Sequence, residues 1–302
     1  MSAASPSLPF ADIDTPADRV MRVACTVLSA YLGATLWPMM LYRERSGSTG
    51  PLLVHAAALL ATLVVVVARR PEIRPVRDLL PLLLGPFLYV ELRWLIPGLG
   101  HQHSDALVQR WEHALFGGNP SATWAPAMPW RMMSELLHLA YASYYLLVLV
   151  PPIALYVRGR RDAFSATMLA FTLVYAVCFA TYVLFPVDGP RYLVGPAAAP
   201  NGPVRAFVLH LLEAGSSRGT AFPSSHVAAS VVASLCALTF QRRVGVAVAF
   251  LTAGLTLGTV YGGFHYGVDA LVGGLTGVIC WLVARLLWRA VATAGSHTAT
   301  AA

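Results

Sequence analysis

The chain has no lysine: all 21 of its basic residues are arginine. Charge of either sign is scarce, at 12% of 302 residues, while 57% are hydrophobic and the mean hydropathy is +0.64. That balance excludes an ordinary soluble domain and a disordered chain alike. The arginines stand singly or in small groups between apolar runs, so there is no basic surface for nucleic acid, which is excluded as a partner. Cysteine is sparse and dispersed. Cys25, Cys178, Cys236 and Cys280 each lie inside an apolar run, which suits buried thiols acting as small hydrophobes and suggests neither a metal knuckle nor a disulfide framework. Repeats of solenoid period are not visible. The first residues lack the basic n-region of a cleavable signal, and 1–19 is expected to be a flexible cytoplasmic tail.

What the chain has in quantity is long uncharged runs. A helix needs about 20 mostly apolar residues to cross the hydrocarbon core. Runs at 23–42, 51–68, 136–157, 163–187, 220–240 and 244–264 carry no Asp, Glu or Arg, 79–100 carries only Glu91 and Arg93, and 266–288 carries Asp269 and Arg285 near its ends. Eight spans follow, in one all-α polytopic bundle over 20–290, with a second flexible tail at 291–302. With the N-terminus inside, thirteen arginines fall on cytoplasmic segments and span ends and seven on the opposite face, with Arg93 within a span. The positive-inside rule therefore places both termini in the cytoplasm of a plasma-membrane protein.

Between spans, 105–117 repeats Leu107, Trp111 and Leu115 every four residues opposite Gln109, Glu112 and His113, a pattern that suits an interfacial helix or an ordinary surface helix. The segment 188–219 is rich in Pro, Gly and Ala and must line water or protein wherever it dips to membrane depth. His101 and His103 are a weak metal pair without a clear third ligand, so a solvated loop is the better reading. Glu91 and Arg93 suit structural polar contacts inside the bundle.

Two histidines mark a candidate site. Pro223-Ser224-Ser225-His226 opens an apolar helix whose free backbone N–H groups, with the hydroxyls of Ser224 and Ser225, suit an anion. His265 and Asp269 are four residues apart, so on a helix the carboxylate can orient the imidazole. Alternating spans bring His226, His265, Asp269, Arg191 and Arg218 to the same, outer face. Two imidazoles, a carboxylate, two guanidiniums and a helix N-terminus match a phosphate ester: arginines grip the oxygens, one histidine attacks phosphorus and the other protonates the leaving alcohol. His138, Tyr141 and Tyr145, with Tyr144, suit a headgroup pocket or an interfacial aromatic belt.

The elements Pro223-Ser224-Ser225-His226 and His265-to-Asp269 resemble the second and third motifs of the type 2 phosphatidic acid phosphatase superfamily, over about 131–289. The resemblance implies a helical core, a transient phosphohistidine on His265, His226 as general acid, Asp269 orienting His265, and no metal or other cofactor. The chain departs from the family's first motif, which usually carries a lysine, and offers Pro186-Val187-Asp188-Gly189-Pro190-Arg191. The usual Ser-Arg opening of the third motif would fall on Gly258 and Thr259, so Arg191 and Arg218 are expected to supply the phosphate contacts. These departures, with Phe116-Gly117-Gly118-Asn119-Pro120, His138-Leu139-Ala140-Tyr141 and Tyr144-Tyr145, look like the branch containing inositol phosphorylceramide synthases. The expected activity is a lipid-phosphate phosphatase at the outer face. A phosphotransferase with an alcohol acceptor and a non-catalytic lipid-binding or transport protein are its rivals. Eight spans argue against the soluble peroxide chemistry of the haloperoxidases in the same superfamily.

Overall fold

The computed structural model describes residues 15–68 and 70–294. Among these residues there are thirteen α-helices and no strand, apart from one isolated parallel bridge between Val187 and Thr220. In chain order they are α1 (Pro16–Ser46), α2 (Gly50–Val67), α3 (Arg74–Leu99), α4 (Asp105–Phe116), α5 (Pro120–Ala127), α6 (Arg131–Ala142), α7 (Tyr144–Val157), α8 (Arg161–Leu184), α9 (Pro190–Val194), α10 (Pro203–Gly215), α11 (Ser225–Phe240), α12 (Arg242–Tyr261) and α13 (Gly267–Ala294). The expected tails lie mostly outside the described residues, but 16–19 and 291–294 are helical. The first of these corrections has a local cause: Thr15 and Asp18 form a capping box and Pro16 occupies the first turn, so α1 starts well before its apolar run.

Seven helices are long and apolar enough to cross a membrane: α1, α2, α3, α6 with α7, α8, α12 and α13. The eighth expected span, 220–240, is shorter than its apolar run. Ser224 is the N-cap, so the helix begins at Ser225 and its 16 residues measure about 24 Å. It need not match the bilayer because it is sheathed by protein, packing on α7, α8, α12 and α13. Its contact with α13 is close: a Cβ at Gly273 or Gly277 would sit 2.5 Å from the carbonyl oxygen of Ser224 or Ala228. This spacing of small residues lets the two backbones touch.

The largest core cluster surrounds α8, which packs against α1, α3, α7, α11 and α13. One end of the bundle is tied by charge. Asp18 of α1 pairs with Arg77 and, at 3.3 Å, with Arg74 and Arg161; Arg161 also meets Asp78 at 2.6 Å. Arg160 donates to the last carbonyl of α11 at 2.5 Å, and Arg19 donates to Val291 near the end of α13 at 3.3 Å. The starts of α1, α3 and α8 thus share a face with the ends of α11 and α13, as alternating spans require.

On the opposite face, α4 reverses the usual amphipathic sense. Asp105, Val108 and Glu112 are buried, whereas Trp111, Leu115 and Phe116 are exposed. Two acids and Val108 point into the protein while Trp111, Leu115 and Phe116 point outward, an arrangement that suits a helix lying at a lipid boundary. Glu91 is fully buried with His55 of α2, whose Nδ1 lies 3.0 Å from Oε2 and whose Nε2 lies 2.9 Å from the Leu32 carbonyl. The pair docks α2 onto α1 and α3.

Candidate active site

The two histidines come from opposite sides of the α11–α13 contact. His226 is the second residue of α11, and His265 lies in the turn between α12 and α13; their ring centroids are 6.0 Å apart. Backbone bonds hold that spacing: the Ser224 N–H donates to the Asp269 carbonyl at 3.0 Å, and the Phe264 and His265 N–H groups donate to the Thr259 carbonyl. Tyr182 adds a clamp, donating its hydroxyl to the Pro223 carbonyl at 2.8 Å and accepting from the Ser225 N–H at 3.0 Å.

His265 Nδ1 is 2.9 Å from the Ala221 carbonyl and 3.5 Å from Asp269 Oδ2. The carbonyl is the closer partner and can only accept, so this contact calls for a hydrogen on Nδ1. Asp269 instead accepts the Tyr266 N–H at 2.8 Å and helps set the turn that presents the ring. His226 sits between Tyr144, at 4.4 Å between centroids, and Tyr141, which stacks at 5.2 Å with its hydroxyl 3.4 Å from Nε2.

Both histidines open onto a small polar pocket of about 40 Å³ that Arg191, Asp188, Tyr192 and Ser216 also line. Arg191 Nη1 donates to Ser216 Oγ at 2.5 Å, and Tyr192 Oη is 2.6 Å from the same oxygen. Arg218 is at the rim, 66% exposed, with its guanidinium against Tyr192 and 3.6 Å from Asp188. A larger, apolar cavity of about 270 Å³ adjoins this pocket at His226.

A family model described as PAP2 superfamily matches residues 106–297. The chain belongs to the PAP2 superfamily. No curated protein and no solved structure gives a significant match. The match starts earlier than the expected core at 131 and takes in α4 and α5, while α1 to α3 lie before it.

His226 and His265 both line the pocket, but several of the other expected contacts are not made there. The Ser224 hydroxyl is spent on the cap of α11, accepting from the Val227 N–H at 3.4 Å, and Tyr182 occupies the Ser225 N–H. Helix α11 therefore offers an anion fewer free donors than its sequence suggests, and Ser224 is fully buried. His138 lines neither cavity; its Nδ1 is 2.6 Å from the Ser134 carbonyl and its ring meets Phe264 edge-on. Tyr141 lines both cavities, and Tyr144 and Tyr145 line the apolar one. Gly258, where the resemblance would put a serine, has a packing role. A Cβ on Gly258 would stand 2.4 Å from the Leu137 carbonyl, so α12 and α6 touch where the usual side chain would project.

Other residues escaped sequence reasoning. Glu112 of α4 accepts the Gly267 and Val268 N–H groups at 2.8 and 2.7 Å, capping α13 immediately after His265. Asp105 does the same for Asp188 and Gly189 at 2.9 Å, and Glu135 for Val204 and Arg205 at the start of α10. The visible signal was an acidic residue on the polar stripe of a short helix, which does not disclose its target. His103 finds partners after all, with Nδ1 2.9 Å from Asp188 Oδ1 beside Asp105. The carboxylates of that trio are turned onto backbone N–H groups, and Asp188 is also 3.6 Å from Arg218, which makes a poor cage for a cation.

Proposed function

We propose that the protein is a lipid-phosphate phosphatase of the plasma membrane, acting at the outer face through a phosphohistidine on His265. The observation that carries this reading is a contact and a shared pocket: His265 Nδ1 lies 2.9 Å from the Ala221 carbonyl, which leaves Nε2 as the nitrogen for attack, and the same pocket is lined by His226 and Arg191. In the first step Nε2 attacks phosphorus, a P–N bond forms, the P–O bond to the lipid alcohol breaks, and protonated His226 gives that oxygen its proton. In the second step neutral His226 takes a proton from water, the hydroxide oxygen bonds phosphorus, and the P–N bond breaks to release phosphate and free His265. Arg191 balances the charge on the non-bridging oxygens in both steps. The outward orientation follows from the arginine excess at the face bearing Asp18, Arg77 and Arg161, opposite the pocket.

The resemblance to inositol phosphorylceramide synthases supports a second reading, in which His265 carries a phosphoryl-alcohol group taken from a phosphodiester donor and an alcohol replaces water as acceptor. Purified enzyme given a labelled lipid phosphomonoester or a labelled phosphodiester, with and without candidate alcohols, separates the two: free phosphate from the monoester marks the phosphatase, and a new phosphodiester from the diester marks the transferase. Replacing His265 with Ala abolishes turnover of every substrate. Replacing His226 with Ala costs much less for a nitrophenyl ester, whose leaving group departs without a proton, than for a lipid phosphate. Activity surviving in the His265 variant would overturn the mechanism, and equal losses across leaving groups in the His226 variant would remove it as the acid.

A further inference from the structure

The apolar cavity continues the polar pocket rather than standing apart from it: Tyr89, Tyr141, Leu212, Ser216 and His226 line both. From there it descends between α3, α7 and α8. Along α8 its lining runs from Phe179 to Met168, eleven residues, which at 1.5 Å per residue is a depth of about 16 Å. No Asp, Glu or Arg lines it. Three of the hydroxyls along it are already engaged, with Thr172 Oγ1 donating to the Met168 carbonyl at 2.9 Å and Tyr144 and Tyr175 bonded to each other at 2.8 Å. The far end is closed by Leu28, Pro81 and Met168, all buried. The side wall is open: Val90 on α3 and Tyr145 and Leu149 on α7 line the cavity and are 37%, 53% and 38% exposed. All three lie within membrane-spanning helices, so the opening faces lipid.

We propose that this cavity receives one hydrocarbon chain of the lipid whose phosphate occupies the histidine pocket, entering sideways between α3 and α7, and that its floor gauges chain length. The proposal rests on the lipid-phosphate reading above. A bare apolar slot that begins at the general acid and opens to the bilayer fits an alkyl or acyl chain and no polar ligand. Carbon–carbon bonds of about 1.5 Å advance an extended chain by about 1.3 Å per carbon, so 16 Å holds about a dozen methylenes. Gly85 sets the width. A Cβ there would make only ordinary contact, 4.0 Å from Tyr175, so a larger side chain can enter the cavity without disturbing the helices.

Binding of octyl, dodecyl and hexadecyl phosphate to the purified full-length protein in nanodiscs tests this. Affinity should rise from octyl to dodecyl and then flatten. Gly85→Leu should weaken dodecyl phosphate by on the order of tenfold relative to octyl phosphate, and Met168→Ala should shift the plateau toward hexadecyl. On the unaltered protein, an alkyl phosphate with a diazirine at its chain end should crosslink at the cavity floor, at Leu28 of α1 or within 81–85 and 168–172. An affinity that climbs equally with length in all three proteins, or crosslinks confined to other helices, would overturn the proposal and mean the chain stays in bulk lipid. A moving plateau without hydrolysis would instead sink the catalytic reading and leave the chain site standing; hydrolysis with an unmoved length series would do the reverse.

Discussion

At the scale of single residues, two arginines that look alike in sequence are unlike in place. Arg191 lines the histidine pocket and is held by Ser216, while Arg218 lies at the rim, mostly in solvent and shared with Asp188. A guanidinium fixed where charge develops contributes far more than one that must first leave its own partner and its water. Arg191→Ala should therefore lower kcat/KM on a lipid phosphate by on the order of a hundredfold, and Arg218→Ala by less than about tenfold. Lysine at 191 should recover only part of the loss, because it lacks the two-pronged donor set. Steady-state rates of the purified variants check this, and equal losses would mean that Arg218 swings inward when substrate binds. The histidines themselves were legible because a histidine in a Pro-Ser-Ser-His turn or four residues before an aspartate carries its own local signature. Ser224 was not, since a serine at a helix start serves equally as cap or anion ligand, and only the Oγ direction separates the two.

At the scale of elements, α4 braces the turn that carries His265. Each oxygen of Glu112 holds one N–H of the first turn of α13, two charge-assisted bonds in a buried setting. Glu112→Gln keeps the shape but has one acceptor oxygen in place of two, leaving a buried donor unpaired at a cost of about 1–3 kcal/mol. Its expected signature is a lower melting temperature together with a kcat reduced at least several-fold and KM little changed, since the turn that aims His265 loosens while the arginine contact stays. A loss of stability with unaltered kcat would confine Glu112 to a structural role. The four-residue recurrence in α4 was plain in the sequence, yet its sense was not. Next to lipid the apolar side of a helix can face outward, and hydrophobic periodicity alone does not say which neighbour, protein core or bilayer, each side meets.

At the scale of the whole molecule, the Asp18 network and the histidine pocket occupy opposite ends of the bundle, so the orientation of one fixes the other. The four native cysteines are buried and free, which gives a quiet background for labelling. With an impermeant thiol reagent on intact cells, Glu213→Cys near the pocket should be labelled, and Arg158→Cys in the loop between α7 and α8 should react only after permeabilisation. Both sites are exposed in the fold, so accessibility to the reagent reports the membrane side. The reverse pattern would turn the pocket inward and end the outer-face proposal.

The alternating helical bundle and the two histidine elements follow from composition and short-range pattern, because a bilayer forces long uncharged runs into helices and a motif is local by nature; the count of eight spans does not, since the run 220–240 holds only a 16-residue helix sheathed by protein. The tertiary structure alone decided which polar groups meet across long sequence distances: Ala221 rather than Asp269 as the nearer partner of His265 Nδ1, Glu112 on the far helix α13, Tyr182 clamping the Pro223 turn, and Gly258 pressed against Leu137. Each of these is a contact between elements whose relative placement depends on how small residues let helices approach, and that packing is a property of pairs of segments, invisible in either segment alone.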